Sequence, residues 1–309
     1  MSLPHCIAIT GANGHLGLKL LNALSDQPVK ALVRSASAAS TVTAYVADNQ
    51  LQNVTIEVVD YQDTRQMQNA LEGTDYLVHL VGIIKESASN TFDDAHIHAN
   101  QVLCHAVAGS SIRHLCHLSL LGADENSRNT CLQSRGTAER LLLNSGVATL
   151  ILRIPMVLGG DDYASYALRK RAHASLSFSF RAASLEQPIA ARDVLAAVLN
   201  DIARAQQGAS VGNQLLELAG PQSLPRAELF ERAAATQGNS TRVISLPLWC
   251  GMGLAWLLEK LSSTPPVTRA MLGVLDHDDN IEAQVTATTL GVTLTSLDAT
   301  LKECLAESQ

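Results

Sequence analysis

Two residues with reactive side chains stand four positions apart in the stretch NTCLQSRGTAER (129–140). The thiol of Cys131 is a weak hydrogen-bond donor with an ordinary pKa of about 8.5. The guanidinium of Arg135 can hold a hydroxyl or an anion, but it stays protonated and cannot relay a proton. The stretch follows an apolar run and has the residue types of a helix start. In the fold that the rest of the chain predicts, this helix start is where proton-transfer residues usually lie, so we expect both side chains near a ligand site.

A glycine series near the N-terminus predicts where that ligand binds. The apolar run CIAIT (6–10) is followed directly by GANGHLG (11–17) and then by an amphipathic helix. In a dinucleotide-binding turn, one glycine lets the chain reverse and one lets backbone N–H groups approach a pyrophosphate. A third glycine lets the helix pack closely on the strand, and the helix N-terminus attracts the phosphates. Gly11, Gly14 and Gly17 have this arrangement.

The end of the second predicted strand favours NADP over NAD. This strand, VKALVR (29–34), ends in Arg34, where an NAD site usually has an acidic residue that holds the ribose 2′-hydroxyl. No Asp or Glu occurs between Gln27 and Val46. Because an arginine suits a 2′-phosphate, we expect NADP as the preferred cofactor and NAD as the alternative.

Strands and helices alternate along the first half of the chain. Apolar runs predict strands at 6–10, 29–34, 54–60, 75–82, 114–122 and 148–155, with helices between them, including 65–73 and 92–108. Such alternation predicts an α/β fold with a doubly wound parallel sheet, whose ligand lies across the carboxyl ends of the strands. Candidate site residues fall at those ends: Gly11–Gly17, Arg34, Asp60, Val81, Gly82, Ser119 and Pro155.

Several motifs occur in an order that resembles the extended and atypical short-chain dehydrogenase/reductases, which are NAD(P)-dependent and epimerase/dehydratase-like. They are TGANGHLG, VVDYQD, HLVG, HLSLLGAD, AERLLLNSG and LRIPMVLGGDD. The chain is most similar to the atypical branch that includes NmrA-like proteins and the NDUFA-nine-like accessory subunit of respiratory complex I. The resemblance covers about residues 5–235 and is loose over the last seventy.

The resemblance implies a set of cofactor contacts along the chain. Residues 10–17 would hold the pyrophosphate, Arg34 the 2′-phosphate, and residues 60–61 the adenine. Residues 80–82 would line the ribose nearest the nicotinamide, and residues 155–157 would meet the carboxamide. The implied cofactor-binding residues are Thr10, Gly11, Asn13, Gly14, His15, Leu16, Gly17, Arg34, Asp60, Tyr61, Leu80, Val81, Gly82, Arg135, Pro155 and Val157.

The catalytic residues of the family are matched only in part. Ser119 matches the serine that polarises a substrate carbonyl, and counting back from AER (138–140) places Cys131 and Arg135 at the Tyr and Lys positions of the family's Tyr-x-x-x-Lys pair. In that pair the tyrosine transfers a proton, and the lysine holds the ribose and lowers a tyrosine pKa that is otherwise near 10. Ser119, Cys131 and Arg135 are therefore the catalytic candidates, and the usual acid is missing.

Three other side chains could donate a proton, namely those of Tyr163, Tyr166 and His79. The tyrosines follow the GGDD turn and are also consistent with packing in a substrate lobe. His79 lies within a predicted strand, where a histidine is usually part of the core.

A metal site is not expected, because residues 114 and 116 of a strand share one face while residue 117 points to the other.

Composition excludes several partners and compartments. The net charge of −7, without a compensating basic stripe, argues against nucleic acid. The six cysteines are scattered, which is typical of reduced thiols in the cytosol. Neither a signal peptide nor an apolar run long enough to span a bilayer is apparent, so we expect a cytoplasmic protein.

The most apolar stretch, LPLWCGMGLAWLLEKL (246–261), carries both tryptophans of the chain. It is too short to span a bilayer. Three interpretations stay open: a helix packed over the substrate cleft or core, a surface for a protein partner, and a contact with a membrane surface.

The sequence thus predicts a Rossmann core and a smaller, mainly helical substrate lobe. Residues 1–155, rejoined by about 187–219, would form the core, and residues 156–186 and 220–309 the lobe, with an unidentified small-molecule substrate between them. Two function classes remain open. One is an NADP-dependent oxidoreductase or epimerase-like enzyme with a non-standard acid. The other is a dinucleotide-binding protein without turnover, either a redox sensor or an assembly and stability factor for a larger complex.

Overall fold

Strands and helices alternate in the computed structural model, which describes residues 6–87, 90–209, 212–262 and 265–306. In chain order the elements are β1 (Ile7–Thr10), α1 (His15–Ala23), β2 (Val29–Val33), α2 (Ala36–Asp48), β3 (Val54–Val58), α3 (Thr64–Leu71), β4 (Tyr76–His79), a π-helical segment (Asp93–His98), α4 (Ala99–Val107), β5 (His114–Leu120), α5 (Thr130–Leu143), β6 (Ala148–Ile154), β7 (Val157–Leu158), α6 (Tyr163–Ala172), β8 (Leu176–Phe180), β9 (Leu185–Glu186), β10 (Ile189–Ala190), α7 (Ala191–Gln206), β11 (Gln214–Glu217), β12 (Leu224–Pro225), α8 (Arg226–Thr236), β13 (Arg242–Leu246), α9 (Leu248–Leu261), α10 (Arg269–Val274), α11 (Ala283–Thr289) and α12 (Leu297–Leu305).

Seven of these strands form one parallel sheet in the order β11-β6-β5-β4-β1-β2-β3. The chain winds outward from β1 through β2 and β3, then returns to β4 and winds the other way. This is the doubly wound Rossmann arrangement, so the predicted fold class is confirmed. The winding direction changes between β1 and β4, and the carboxyl ends of those two strands flank the crevice in which such sheets bind ligands.

The central strands are buried on both faces, as a parallel sheet covered by helices requires. On β1, Ile7 and Ile9 point into one apolar core while Ala8 points into the other. A third and smaller core lies apart from the sheet, where α6, α8 and α12 pack through Leu168, Leu229 and Leu301.

The second half of the chain contributes to more than one of these cores. Ala287 and Leu290, in and just after α11, pack into the main core together with residues of α7. The region beyond the sheet also contains short two-stranded sheets, β8 with β13 and β9 with β12, beside its helices. The division of the chain at residues 155, 187 and 219 stays a prediction.

Helix α9 carries most of the apolar 246–261 stretch. Its inner side is buried at Gly251 and Ala255, and a Cβ on Gly251 would lie 2.7 Å from the ring of Phe180. Its outer side exposes Trp249 and Trp256, whose side chains are 75% and 47% exposed. Within the described residues, none of the helices combines the length and the apolar character needed to cross a bilayer.

Candidate cofactor site

The glycine turn between β1 and α1 has the geometry of a phosphate cradle. Gly11 has a φ of +74°, which favours glycine, and a Cβ there would lie 3.2 Å from the backbone of Leu80. A Cβ on Gly17 would lie 2.7 Å from the carbonyl oxygen of Ala12, so only glycine lets α1 approach this closely. Gly14 caps α1 without a side-chain acceptor, which leaves the first N–H groups of this helix available to an anion.

A cavity of about 390 Å³ opens beside this turn. It brings together nine of the predicted cofactor-binding residues from four strand ends: Gly11, Asn13, Gly14, Arg34, Asp60, Tyr61, Leu80, Val81 and Gly82. The size, the strand-end position and the open glycine backbone fit a dinucleotide at the crevice of a doubly wound sheet. The individual contacts stay predictions.

Arg34 and Asp60 mark the end of the cavity over β2 and β3. The Arg34 side chain is exposed, and its Nη1 donates a hydrogen bond to the Asn90 amide oxygen at 2.8 Å. Asp60 is also exposed, and its carboxylate accepts from the backbone N–H of Gln62 at 2.9 Å. A free guanidinium edge therefore stands where a 2′-phosphate is expected.

The Tyr61 hydroxyl hydrogen-bonds to the glycine turn, a role that the sequence did not predict. Its hydroxyl donates to the carbonyl oxygen of Leu32 at 2.7 Å and accepts from the N–H of Gly11 at 3.0 Å. Burial raises the pKa of this hydroxyl to about 12. The phenol ties the glycine turn to β2, while another part of the residue lines the cavity.

The other predicted cofactor residues lie outside this cavity. Leu16 and Val157 pack against the main core, and Pro155 is half-buried after β6. The imidazole of His15 lies 4.0 Å from the Asp162 carboxylate at the start of α6. Their contacts with a cofactor stay predictions.

Cys131 is enclosed and is not among the residues that line the cavity. Its side chain has no exposed surface, and its Sγ points at the carbonyl oxygen of Ile83 at 3.7 Å. Burial raises the pKa of this thiol to about 11. The side chain of Asn129 caps α5 by accepting from the N–H groups of Cys131 and Leu132, and it also donates to the Ala270 carbonyl oxygen of α10 at 2.8 Å. The Tyr position of the family is therefore sealed inside the protein.

Arg135 is buried as well and does not line the cavity, but its guanidinium lies directly behind Gly82, which does. It packs so closely on Gly82 that a Cβ on that glycine would collide with it. Its Nη1 donates a long hydrogen bond of 3.4 Å to the carbonyl oxygen of Leu118, and its Nε has no partner among the described residues. Ser119, the next residue on β5, is buried, and its hydroxyl has no partner in the described part of the chain.

A buried row of polar side chains crosses the sheet beneath these groups. Thr10, His79 and His117 pair in register on β1, β4 and β5, so they point to one face. The hydroxyl of Thr10 lies 2.7 Å from Nδ1 of His79, and Nδ1 of His117 donates to the His79 carbonyl oxygen at 2.9 Å. The two imidazole rings lie 5.0 Å apart. Thr10 and His79 end their strands while His117 lies in the middle of β5, so only the register shows that the three side chains are neighbours.

The tyrosines considered as alternative donors lie on the surface. The side chains of Tyr163 and Tyr166 on α6 are 75% and 58% exposed, and neither lines the cofactor cavity. A larger cavity of about 860 Å³ lies between the start of α5 and the helices α9 and α10. Thr130, Leu132, Met252 and Arg269 are among the residues that line it.

Comparisons with known proteins agree with this geometry. Residues 11–201 match a family model described as NAD(P)H-binding. The chain belongs to this family.

Two relatives and one solved structure extend that result. The 40 kDa subunit of mitochondrial NADH-ubiquinone oxidoreductase from Neurospora crassa is 22% identical over 284 residues, which are 91% of this chain and 73% of the subunit. Quinone oxidoreductase 2 from Escherichia coli is 28% identical over 151 residues, which are 48% of this chain and 47% of that protein. The Citrobacter triphenylmethane reductase complexed with NADP(H) superposes with a TM-score of 0.73 at 18% identity, covering 97% of this chain and 100% of that one. The chain is thus an NAD(P)-binding protein of the atypical short-chain dehydrogenase/reductase type, as its motifs predicted.

Proposed function

We propose that this protein binds NADPH beside its glycine turn and reduces quinone-type acceptors without a side-chain acid. One observation carries the proposal: Cys131, at the position of the usual proton donor, is enclosed and turned toward the Ile83 carbonyl oxygen. A reductase built this way suits a hydride acceptor that needs no proton in the same step.

The residues of the cavity fit the phosphorylated cofactor. The exposed guanidinium of Arg34 stands beyond the end of β2, in a segment without an acidic residue. A 2′-phosphate would gain a charge-assisted hydrogen bond there, whereas the 2′-hydroxyl of NADH would find no carboxylate acceptor on that loop. The backbone N–H groups that begin α1 would hold the pyrophosphate.

The chemistry of the acceptor follows from the missing acid. Bound NADPH would supply a hydride, that is, one proton and two electrons. Hydride addition to a simple ketone yields a strongly basic alkoxide that needs an acid at once. Addition to a quinone yields a hydroquinone anion, and the parent phenol has a pKa near that of tyrosine, about 10. Water can protonate such an anion after the transfer, so neither Cys131 nor Arg135 has to donate a proton.

Two of the similar proteins support acceptors of this kind. One is named a quinone oxidoreductase and another a triphenylmethane reductase. The cavity of about 860 Å³ near the start of α5 has room for an aromatic acceptor. Its position beside α9 and α10 supports the expectation of a substrate between the core and the smaller lobe.

The proposal is tested by the oxidation of NADPH in the presence of two acceptor sets. One set holds benzoquinone and short-chain ubiquinone analogues, and the other holds simple aldehydes and ketones. We expect turnover with quinones alone, and the double variant Tyr163→Phe/Tyr166→Phe should keep it because both tyrosines are exposed away from the cavity. Efficient ketone reduction, or a loss of activity in that variant, would contradict a mechanism without a side-chain acid.

Binding without turnover is the competing function. The similarity to a respiratory complex subunit over 91% of the chain supports it, as does the exposed apolar side of α9, which suits a protein partner or a membrane surface. Tight NADPH binding without oxidation by any quinone would favour this role, and α9 would then be the first surface to mutate. A cytoplasmic location stays a prediction.

A further inference from the structure

The guanidinium of Arg135 is a buried positive charge. Among the residues that the structure describes, no carboxylate forms an ion pair with it. The nearest acid along α5, Glu139, is instead engaged by Arg153, whose Nη2 lies 2.6 Å from its carboxylate. Because a buried unpaired cation is costly, its position is informative.

Three buried histidines beside Arg135 do not change this charge. Burial and the neighbouring guanidinium lower the pKa of His96 to about 2 and that of His117 to about 3, and burial holds the pKa of His79 well below its usual range. All three imidazoles are therefore neutral near pH 7. Burial also lowers the pKa of Arg135, but a guanidinium starts so high that it stays protonated. The cluster as a whole carries one positive charge.

The strand order places this charge under one half of the cofactor cleft. Arg34 and Asp60 mark the end over β2 and β3, where the adenosine half is expected, and the glycine turn at β1 holds the middle. The nicotinamide half must then extend over β4 and β5, on the other side of β1. Arg135 lies there, packed on Gly82 after β4 and hydrogen-bonded to the Leu118 carbonyl oxygen of β5.

We propose that Arg135 makes this site select the reduced cofactor over the oxidised one. The nicotinamide ring of NADP⁺ carries a positive charge, whereas that of NADPH is neutral. A buried guanidinium beneath that half, with no ion-pair partner in the described part of the chain, repels only the oxidised form. This inference rests on the proposed NADPH site and adds a preference for redox state to it.

The expected preference is substantial because both charges would be shielded from water. At the effective dielectric constant of about 20 that suits protein sites, one pair of like charges within several ångströms weakens binding by about tenfold or more. Each tenfold difference in affinity in favour of NADPH raises the reduction potential of the bound NADP⁺/NADPH couple by about 30 mV. The bound cofactor thereby becomes a weaker reductant, which still suits quinones and further disfavours simple ketones.

The test compares the dissociation constants of NADPH and NADP⁺, measured by calorimetric titration of the full chain. We expect the wild-type protein to bind NADPH at least about tenfold more tightly. Arg135→Gln should bring the ratio close to one, and Arg135→Lys should preserve it because the charge remains. Arg34→Gln is the matched control, since it removes a cation near the 2′-phosphate and should weaken both forms by the same factor.

The outcomes separate this proposal from the proposed function. Equal affinity of the wild-type protein for the two forms would overturn the selection while leaving NADPH binding intact, and this result needs no variant. A ratio that survives Arg135→Gln would also overturn it. Absence of binding by either form would remove the cofactor site itself. If a thermal melt shows that Arg135→Gln is not folded, the test rests on the ratio of the two dissociation constants in the wild-type protein and on whether Arg135→Lys keeps that ratio.

Discussion

Replacing Arg34 with serine should remove the preference for NADPH over NADH. The guanidinium is the cationic group at the β2 end of the cavity, and a hydrogen bond to a charged partner contributes about 1.5–3 kcal/mol. Arg34 is exposed to water and already donates to Asn90 at 2.8 Å in the free protein. Binding a phosphate would replace these hydrogen bonds, so we expect a net contribution to the binding free energy near the lower end of that range. A loss of about 1.5 kcal/mol corresponds to about a tenfold weaker affinity for NADPH. The affinity for NADH should stay unchanged.

Fluorescence titration of both cofactors at two ionic strengths provides the assay. Arg65→Ser is the matched control, since it removes the same charge from the exposed surface of α3 without touching the cavity. If Arg65→Ser weakens NADPH binding as much as Arg34→Ser does, the effect is general electrostatics and not recognition of a phosphate. The reasoning is refuted if Arg34→Ser weakens both cofactors equally, or neither.

Four further substitutions test the glycine turn and the region beyond the sheet. Gly17→Ala would place a Cβ 2.7 Å from a backbone oxygen and should lower the free energy of unfolding, measured in urea, by about 1–3 kcal/mol. Gly253→Ala is the control: a Cβ at this position of α9 meets open space, so this substitution should raise the free energy of unfolding by about 0.5–1 kcal/mol. Tyr61→Phe removes the hydroxyl that accepts from the Gly11 N–H and should cost about 1 kcal/mol in the same assay, with weaker stabilisation by NADPH. Burial and a neighbouring glutamate raise the pKa of Asp279 from 3.8 to about 7. The folded state therefore binds this proton more tightly than the unfolded state, and stability falls as the pH rises from about 4 to about 7. Asp279→Asn should remove this decrease in stability and should be more stable than the wild type by about 1–2 kcal/mol at about pH 8. The same dependence of stability on pH in both proteins would contradict the prediction.

The fold and one half of the site could be predicted because their signals are local. Apolar runs predicted the six strands of the main sheet that lie between residues 6 and 155, and three glycines directly after the first strand predicted the turn that would hold the phosphates. Arg34 could be placed at the cavity because it stands at a strand end. The predicted helix over 92–108 was correct in place, but its first turns are π-helical at Asp93–His98, which apolar periodicity does not distinguish.

The other half of the site depends on contacts between distant parts of the chain. Thr10 and His79 meet across 69 positions, and the inward turn of the Tyr61 hydroxyl depends on the path of β2. Outside the site, the buried pair of His114 and Asp201, 2.6 Å apart, likewise joins β5 to α7 over 87 positions. The cavity beside α9 and α10 lies where the resemblance to known motifs is loose, so only packing could show it.

The enclosure of Cys131 limits which sequence changes this protein can tolerate. A tyrosine ring at that position would need space now filled by the backbone at Ile83 and by the Asn129 cap, which is itself bonded to α10. Such overpacking costs about 1–3 kcal/mol before the new hydroxyl could act. Replacing Arg135 with lysine would also give up the planar fork that packs against Gly82. A return to the Tyr-x-x-x-Lys pair would therefore require compensating changes in α10, more than 130 residues along the chain. A single substitution at position 131 or 135 should lower stability without yet supplying a catalytic pair, so selection should act against it.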